Sequence, residues 1–182
     1  MTNEQWLRYG NVTEHDACGI GAVVDIHGRP SRTIVDDALR IVERLEHRAG
    51  KDARGETGDG VGILTQVSHT FFPKAAAACG ITLPESGDYG VGMFFFPRET
   101  LAHRQAQKML EVIVRKEGLS LLGWREVPTC PEILGETARA CMPYILQFFV
   151  ARREDSPRGL PFDRRLYLVR GNSSSPTTTP MW

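Results

Sequence analysis

The sequence predicts a layered domain that mixes helices and strands, and two observations lead to that prediction. Apolar segments of strand length, such as 89–97 and 144–152, alternate along the chain with segments whose apolar residues recur at helical spacing, such as 33–47. The chain has 182 residues, the size of one ordinary domain, and 41% of them are hydrophobic. The alternation alone does not decide whether the sheet is parallel or antiparallel.

Five segments are predicted to be strands because each contains branched or aromatic residues and is bounded by glycine or proline. These strands are 19–26, 60–67, 89–97, 119–128 and 144–152. Their alternation with helices predicts a mixed α/β-type layered domain.

Helices are predicted between these strands. Residues 33–47 form an amphipathic helix behind a capping Ser31 or Thr33. A short helix is predicted within 69–80, and a longer one over about 99–117. The core face of the longer helix is predicted to comprise Leu101, Met109, Val112 and Ile113.

The end of the chain differs in composition from the rest. Residues 162–170 carry an apolar face for which the remaining sequence offers no partner. Residues 171–182 are rich in Ser, Thr and Pro without an apolar period, so they are predicted to be a disordered tail. We therefore expect the chain to be a truncated or frame-altered piece of a longer protein.

Composition and charge exclude several classes of function. The 22 basic residues balance the 22 acidic residues, so no net charge favours binding to nucleic acid or to an acidic membrane surface. The sequence has no run of about 18 apolar residues, and its first residues lack the apolar core of a secretory signal. A cytoplasmic protein that binds neither nucleic acid nor membrane is predicted.

The four cysteines do not form a metal-binding pattern, since none of their spacings is C-x-x-C. Cys79, Cys130 and Cys141 have neighbours typical of small buried hydrophobic residues, and we expect all three to be buried. Cys18 differs because it stands between a polar leader and the glycine-rich apolar run GIGAVVDI.

Three short motifs together point to chemistry. They are HDACGIG at 15–21, LEHRAG at 45–50 and TGDGVGI at 57–63. Each has a structural explanation when taken singly: a packed cysteine, an arginine at a helix C-terminus, and a tight turn in which glycine tolerates positive φ. The last motif is neither a dinucleotide fingerprint nor a P-loop, because its spacing differs and it precedes a strand.

In this order the motifs resemble the class II glutamine amidotransferase family, and more narrowly the N-terminal glutaminase region of the glutamate synthase large subunit. The resemblance extends over about residues 14–170. It implies an α+β domain that is part of the four-layer αββα fold of N-terminal nucleophile hydrolases. It also implies a leader over 1–17, the N-terminal part of the amidotransferase domain over 18–170, and the tail over 171–182.

The resemblance implies a nucleophile and an orienting residue. Cys18 becomes the first residue once the leader is removed, and its thiol attacks the side-chain amide of L-glutamine. Its own α-amine, with an ordinary pKa of about 7.7–8.0, accepts the thiol proton near neutral pH. Arg48 is implied to lie beside the nucleophile and to fix the local loop.

Neighbouring polar residues are expected to be structural. Gly58, Asp59 and Gly60 are expected to shape a turn, and His15 and His47 are not needed as bases, because this nucleophile carries its own. The family's Arg-[Phe/Tyr]-Ser-Thr and Asn-Gly-Glu segments, which bind the substrate carboxylate and the oxyanion, do not occur in this sequence. Since losing one oxyanion donor costs about 100- to 1,000-fold in turnover, the chain is expected to be poorly active.

No cofactor or metal is predicted for this chain, whereas the resemblance implies FMN and an iron–sulfur cluster in full-length family members. The implied partners are L-glutamine, the remaining domains of the large subunit and a small electron-donating subunit. Two alternatives stay open: another class II amidotransferase, of the aminosugar, purine or asparagine pathways, and a non-catalytic binding domain in which Cys18 is buried. Removal of the leader separates the enzymatic alternatives from the binding domain.

Overall fold

A computed structural model describes residues 19–51, 55, 58 and 60–173. The leader, Cys18 and most of the predicted tail lie outside the described residues. The chain divides into two units, Met1–Thr65 and Gln66–Trp182. Each unit is described by itself below.

The first unit is built on one amphipathic helix, α1, which covers Arg32–Arg44. The backbone N–H of Thr33 donates to the Ser31 hydroxyl oxygen at 3.1 Å, which caps the first turn. A single 3₁₀ turn, Glu46–Arg48, follows the helix. The prediction of a helix over 33–47 is thereby confirmed.

The strands predicted at 19–26 and 60–67 are wrong for this structure. Neither segment has a hydrogen-bonded neighbouring strand among the described residues, and Ile20 and Leu64 are almost fully exposed. Branched residues favour an extended chain, but a strand forms only when a second backbone supplies the ladder hydrogen bonds. The sequence pattern indicates that the chain can be extended, but it does not indicate whether a second backbone is available to pair with it.

The second unit contains a three-stranded antiparallel sheet. Its strands are β1, Tyr89–Phe96; β2, Ser120–Glu126; and β3, Tyr144–Ala151. The order in the sheet is β1–β3–β2, so β3 is the central strand. The register between β2 and β3 shifts between Leu121 and Gly123. The three later strand predictions are confirmed, and the sheet is antiparallel, which the sequence left undecided.

Four described helices belong to this unit. They are α2, Phe71–Ala77; α3, Thr100–Lys116; α4, Glu136–Cys141; and α5, Leu160–Ser173. Gly80 follows α2 and Gly118 follows α3, and each has a φ of 72°. This left-handed conformation ends a helix and favours glycine.

Helices α3 and α5 cover one face of the sheet. The buried apolar cluster on this face comprises Leu110, Val114, Leu119, Phe148, Val150, Phe162 and Val169. The face predicted for α3 is wrong: Leu101, Met109 and Val112 are exposed, and of the predicted set only Ile113 packs against the cluster. Apolar residues occupy more than one side of α3, so the position of its neighbours decides which side is buried.

Helix α5 corrects two predictions about the end of the chain. The apolar face of 162–170 has a partner, because two of its residues belong to the cluster just described. Residues 171–173 are the last turn of the helix and not part of a disordered tail. The Asn172 side-chain amide donates to the Glu117 carboxylate at 3.0 Å, which ties this turn to the end of α3.

The opposite face of the sheet is covered along only part of its length. Helix α2 buries Ala76 against Phe149, and the Phe72 ring meets the Phe149 ring edge to face with centroids 6.1 Å apart. Further along the same face, Met93 and Phe95 remain 49% and 52% exposed.

The three cysteines expected to be buried are exposed. Cys79 follows the end of α2, Cys130 precedes the 3₁₀ turn Pro131–Ile133, and Cys141 is the last residue of α4. All three lie at the ends of short elements near the surface. Small apolar neighbours in the sequence therefore did not indicate burial.

A cluster of charged groups joins the start of β1 to the chain after β3. The buried Asp88 carboxylate accepts hydrogen bonds from Arg152 Nε at 2.8 Å and from Arg158 Nη2. The backbone N–H of Arg152 also donates to the Asp88 carbonyl oxygen at 2.9 Å. The hydrogen bond from Arg152 lowers the pKa of the Asp88 carboxyl, outweighing the opposite effect of burial, and Arg158 adds to the lowering.

Truncating the Phe149 side chain is expected to destabilise the second unit. Phe149 is 0% exposed, and removing such a ring lowers the free energy of unfolding by about 3–5 kcal/mol. The matched control is Phe95→Ala on the same face, which is expected to cost about 1 kcal/mol or less because that ring is half exposed. Urea unfolding followed by circular dichroism measures both, and equal losses would contradict the assigned core.

The Asp88 cluster predicts a pH-dependent contribution to stability. The folded pKa of Asp88 is lowered, so the contribution is fully present above the unfolded value of about 3.9 and is lost as the pH falls through the folded pKa. Asp88→Asn is therefore expected to lower the melting temperature at pH 7, and its gap from the parent is expected to narrow below about pH 4. The exposed Asp155→Asn variant is the control, and a gap that stays constant down to pH 2.5 would contradict the argument.

Candidate active site

The candidate site lies where α1 ends, and backbone hydrogen bonds shape that end. The Leu45 N–H donates to the carbonyl oxygens of Ile41 and Val42, each at 3.1 Å, and the Arg48 N–H donates to the Leu45 carbonyl at 2.8 Å. The α-helix thus tightens into one 3₁₀ turn and stops. The LEHRAG motif occupies this C-terminal turn, where the carbonyl dipoles favour a cation such as Arg48.

Two glycines let the chain pass close to α1. A Cβ on Gly19 would stand 2.9 Å from a side-chain carbon of Leu45, and a Cβ on Gly21 would overlap the side chain of Ile41. Any larger residue at these positions would displace the helix side chains. The segment that begins at Gly19 therefore lies directly against the last turns of α1.

An aspartate-centred turn leads from this segment into α1. The two carboxylate oxygens of Asp25 accept hydrogen bonds from the backbone N–H of His27 at 2.7 Å and from Arg29 Nη2 at 3.0 Å. The bond from Arg29 is the main cause of a lowered Asp25 pKa, with the His27 N–H second. Gly28, at a φ of 67°, completes the reversal of direction.

The LEHRAG and TGDGVGI motifs meet through their backbones. Lys51 and Gly58 form an antiparallel bridge. A Cβ on Gly58 would stand 2.8 Å from the carbonyl oxygen of Gly50, a backbone atom that cannot rotate away. The close approach of the two loops therefore requires glycine at position 58, in agreement with the structural role expected for it.

An open cavity of about 310 Å³ lies beside this bridge. Its lining comprises Val42, Glu43, Glu46, Ala49, Gly50, Lys51, Gly58 and Val61. The Lys51 ammonium donates to the Glu46 carboxylate at 2.9 Å, which lowers the pKa of Glu46 and raises the pKa of Lys51. The lowered pKa makes the Glu46 carboxylate a weaker base, and the raised pKa keeps Lys51 as an ammonium, which has no lone pair to accept a proton.

The structure describes one of the two predicted site residues. Arg48 is exposed on the 3₁₀ turn, three residues after the leucine that contacts Gly19. Cys18 lies outside the described residues. The segment that follows Cys18 and the turn that carries Arg48 are brought together within the first unit.

The structure likewise describes only some of the neighbouring polar residues. His15 and Asp59 lie outside the described residues. His47 Nδ1 donates to the carbonyl oxygen of Arg44 at 2.9 Å, so its ring is engaged at the end of the helix. This contact ties the His47 ring to the last turn of α1, and the expectation that His47 is not needed as a base stays a prediction.

Sequence reasoning missed the Glu46–Lys51 pair and the packing of the glycines. A five-residue spacing matches no helical pairing rule, and the pair exists only because the chain turns after α1. The packing had a signal that was overlooked, because glycine recurring at alternate positions of an extended segment marks a close approach of another backbone or side chain. In this chain those glycines are Gly19 and Gly21.

Within the described residues, no three His, Cys, Asp or Glu side chains converge as metal ligands. That part of the chain therefore offers no ligand set for an iron–sulfur cluster. None of the described helices is long and apolar enough to cross a membrane.

The amino-acid sequence is similar to glutamate synthases from distant organisms. It is 37% identical over 157 residues to the glutamate synthase [NADPH] large chain of Bacillus subtilis, covering 86% of this chain and 10% of that protein. It is 37% identical over 167 residues to the ferredoxin-dependent glutamate synthase 2 of Synechocystis, covering 92% of this chain and 10% of that protein. The glutamate synthase [NADH] of Schizosaccharomyces pombe is 36% identical over 171 residues, 91% of this chain and 8% of that protein.

The chain thus spans about one tenth of the length of the curated relatives it matches. The family model for class-II glutamine amidotransferases matches residues 18–181. That match begins at the predicted nucleophile, so it includes residues 18–21 of the first motif and all of the other two. The chain therefore belongs to the class-II glutamine amidotransferase family, and it resembles the glutamate synthases within it.

Proposed function

We propose that this chain is the nucleophile-bearing part of a glutaminase domain that serves glutamate synthesis, and that Cys18 is the nucleophile. The observation that supports this most directly is the packing of Gly19 against Leu45. Gly19 follows Cys18 in the sequence, and Leu45 precedes Arg48 by three residues. Since consecutive Cα atoms are about 3.8 Å apart, a nucleophile at position 18 is expected within reach of the turn that carries Arg48.

The proposed reaction needs one residue to supply both nucleophile and base. The α-amine of Cys18 takes the thiol proton, and the thiolate sulfur forms a bond to the side-chain carbonyl carbon of glutamine. The C–N bond of the amide then breaks, and the amine returns the proton to the leaving nitrogen, which departs as ammonia. Water hydrolyses the remaining thioester, releases glutamate and restores the thiol.

The leader 1–17 is proposed to keep the Cys18 nucleophile inactive until the leader is removed. While Ala17 is attached, the nitrogen of Cys18 is an amide and cannot accept a proton. Cleavage between the two residues converts that amide into an amine with an ordinary pKa of about 7.7–8.0. No other base is proposed, because the nucleophile itself carries the α-amine that accepts the proton.

Arg48 is proposed as a positioning residue for the loop beside the nucleophile. It lies at the C-terminal end of α1, where the helix dipole retains a guanidinium. The neighbouring residues Leu45 and Gly50 make the two close approaches that join the three motifs. A residue in this place controls how the chain near position 18 is held, without needing to contact the reacting atoms.

The fold is proposed to be part of the four-layer αββα arrangement of N-terminal nucleophile hydrolases. The supporting feature in the first unit is the extended segment 19–25, which lies against α1 at Gly19 and Gly21 and carries exposed branched residues. Such segments are completed by neighbouring strands. The proposed organisation is a leader over 1–17 and the N-terminal part of the amidotransferase domain from Cys18 onward.

The wider activity is proposed for a longer protein of the relatives' kind. Ammonia released from glutamine would serve glutamate synthesis there, with FMN and an iron–sulfur cluster in other domains and a small electron-donating subunit as partner. This chain alone is proposed to turn over poorly, because its sequence contains neither the Asn-Gly-Glu nor the Arg-[Phe/Tyr]-Ser-Thr segment.

The nucleophile is tested by covalent labelling of the 182-residue chain with a glutamine-mimicking diazoketone. After removal of residues 1–17 we expect one label per chain on Cys18, at a rate that rises as the α-amine loses its proton near pH 7.7–8.0, about its ordinary pKa. Cys18→Ala is expected to abolish labelling. The matched control is Cys79→Ala, since Cys79 is an exposed free thiol without a terminal amine, and intact mass spectrometry measures both.

Two outcomes of this labelling experiment would contradict the proposal. One is equal labelling of the chain with and without its leader, which would show that the α-amine is not the base. The other is labelling that survives Cys18→Ala and disappears in Cys79→Ala.

Arg48→Gln is expected to lower the maximal labelling rate of Cys18 by about tenfold. A loss of that size is close to the lower end of the about 1.5–3 kcal/mol that one charge-assisted hydrogen bond contributes. The concentration of diazoketone that gives half the maximal rate is expected to change little, because the residue positions the loop and does not bind substrate. Arg48→Lys is expected to recover part of the rate. The control is Arg44→Gln, an exposed arginine one turn earlier on α1, and an equal loss in this control would remove the special role of Arg48.

A further inference from the structure

Two free cysteines of the second unit border the same cavity. Cys130 precedes the 3₁₀ turn Pro131–Ile133, and Cys141 is the last residue of α4. Both are exposed free thiols, and both line an open cavity of about 420 Å³ that Ile145 of β3 also lines. The glutaminase chemistry proposed above uses neither cysteine, because its residues belong to the first unit.

The sheet brings the two ends of the loop that carries these cysteines together. Strands β2 and β3 are antiparallel neighbours, and one hydrogen bond extends their pairing, from the Val127 N–H to the Ile145 carbonyl oxygen at 3.1 Å. Cys130 lies three residues after Val127 on one arm of the loop, and Cys141 lies four residues before Ile145 on the other. Because paired strands are about 4.7–4.9 Å apart, the two arms leave the sheet side by side.

Arg139 ties the two arms to each other beyond the sheet. Its Nε donates to the Pro131 carbonyl oxygen at 3.2 Å, and its Nη2 donates to the Leu134 carbonyl oxygen at 2.9 Å. Pro131 directly follows Cys130, and Arg139 precedes Cys141 by two residues. A disulfide requires the two Cα atoms to lie within about 7 Å of each other. A shared cavity, a common stem and a bridging arginine all favour that proximity.

We propose that Cys130 and Cys141 are a redox-sensitive dithiol pair that a hydroperoxide converts into a disulfide. The thiolate of one cysteine attacks a peroxide oxygen, the O–O bond breaks, and that sulfur becomes a sulfenic acid while the other oxygen leaves as water or an alcohol. The second thiolate then attacks the sulfenic sulfur and displaces hydroxide, which takes up a proton and leaves as water. The two thiols lose two electrons, which reduce the peroxide, and a dithiol reductant restores them.

The disulfide closes residues 131–140 into a ring at the end of the sheet. Such a cross-link removes conformations from the unfolded chain, and in the folded chain Arg139 already holds this loop. The oxidised chain is therefore expected to melt at a higher temperature than the reduced chain. Exposure of both cysteines leaves the bond accessible to reductants, as is typical of reversible, regulatory disulfides.

The test is oxidation of the complete, reduced chain by hydrogen peroxide, followed by alkylation of the remaining thiols and mass spectrometry without reduction. We expect the chain to lose two hydrogen atoms without forming a dimer. After digestion with trypsin, peptides 126–139 and 140–152 are expected to stay joined. Trypsin cuts after Arg139, which lies between the two cysteines, so these peptides remain together only when the disulfide has formed.

Variants of the other exposed residues make this test specific. Cys79→Ser is the matched control, because Cys79 is also an exposed free thiol but does not line the cavity, and it is expected to cross-link at the parental rate. Cys130→Ser and Cys141→Ser are each expected to leave a sulfenic or sulfinic acid on the remaining cysteine. Arg139→Gln is expected to slow cross-linking by about threefold or more, because hydrogen bonds between the arms are lost. Arg104→Gln, an exposed arginine on α3, is expected to have no effect.

Three results would overturn the proposal. The first is separate oxidation of Cys130 and Cys141 to sulfinic acids without a cross-link, and the second is a disulfide that includes Cys18 or Cys79 or joins two chains. The third is cross-linking as fast in concentrated urea as in the folded chain, where an advantage of about tenfold is expected from holding the arms together. Melting temperatures of the reduced variants within about 3 °C of the parent exclude unfolding as the cause of any loss. Failure of the Cys18 labelling would leave this result unaffected, because the pair lies in the second unit.

Discussion

Burial of strand β3 on both of its faces is the constraint on which the second unit depends. An isolated antiparallel sheet of three strands has two faces to cover, and β3 presents Phe148 and Val150 to one side and Phe149 to the other. Helices α3 and α5 cover the first side, and α2 covers part of the second. In the part that α2 leaves open, Met93 and Phe95 remain 49% and 52% exposed.

The first unit uses a different constraint, the close approach of backbones at glycines. No residue of α1 is fully buried, so this helix is not held by a large core. It is held by the segment from Gly19, which lies against Leu45, and by the Lys51–Gly58 bridge that brings the next loop to the same turn. Chemistry that depends on position 18 therefore depends on a few short contacts, where a single added methyl group displaces a neighbour.

Elements that depend on neighbouring residues in the sequence were predicted correctly. Strand pairing and burial, which depend on a packing partner elsewhere in the chain, were not. Helix α1 and strand β3 follow from periodicity and apolar runs, and they appear where predicted. The segment 19–26 has the pattern of a strand but no neighbour to pair with, and Leu101 has the pattern of a core residue on a helix whose other side faces the core. At the site, resemblance supplied Cys18 and Arg48, while the contact of Gly19 with Leu45 appears only in three dimensions.

The proposed mechanism ties the chemistry to the α-amine that is freed when the leader is removed. His47, the described histidine nearest to Arg48 in the sequence, donates from Nδ1 to the carbonyl of Arg44, and Glu46 and Lys51 pair with each other. The proposed mechanism assigns none of these three residues a role as the base. In the proposed mechanism the thiol of Cys18 uses its own α-amine as the proton acceptor. That nitrogen becomes basic only when the preceding peptide bond is broken, so the mechanism makes cleavage of the leader and activation of the nucleophile one event.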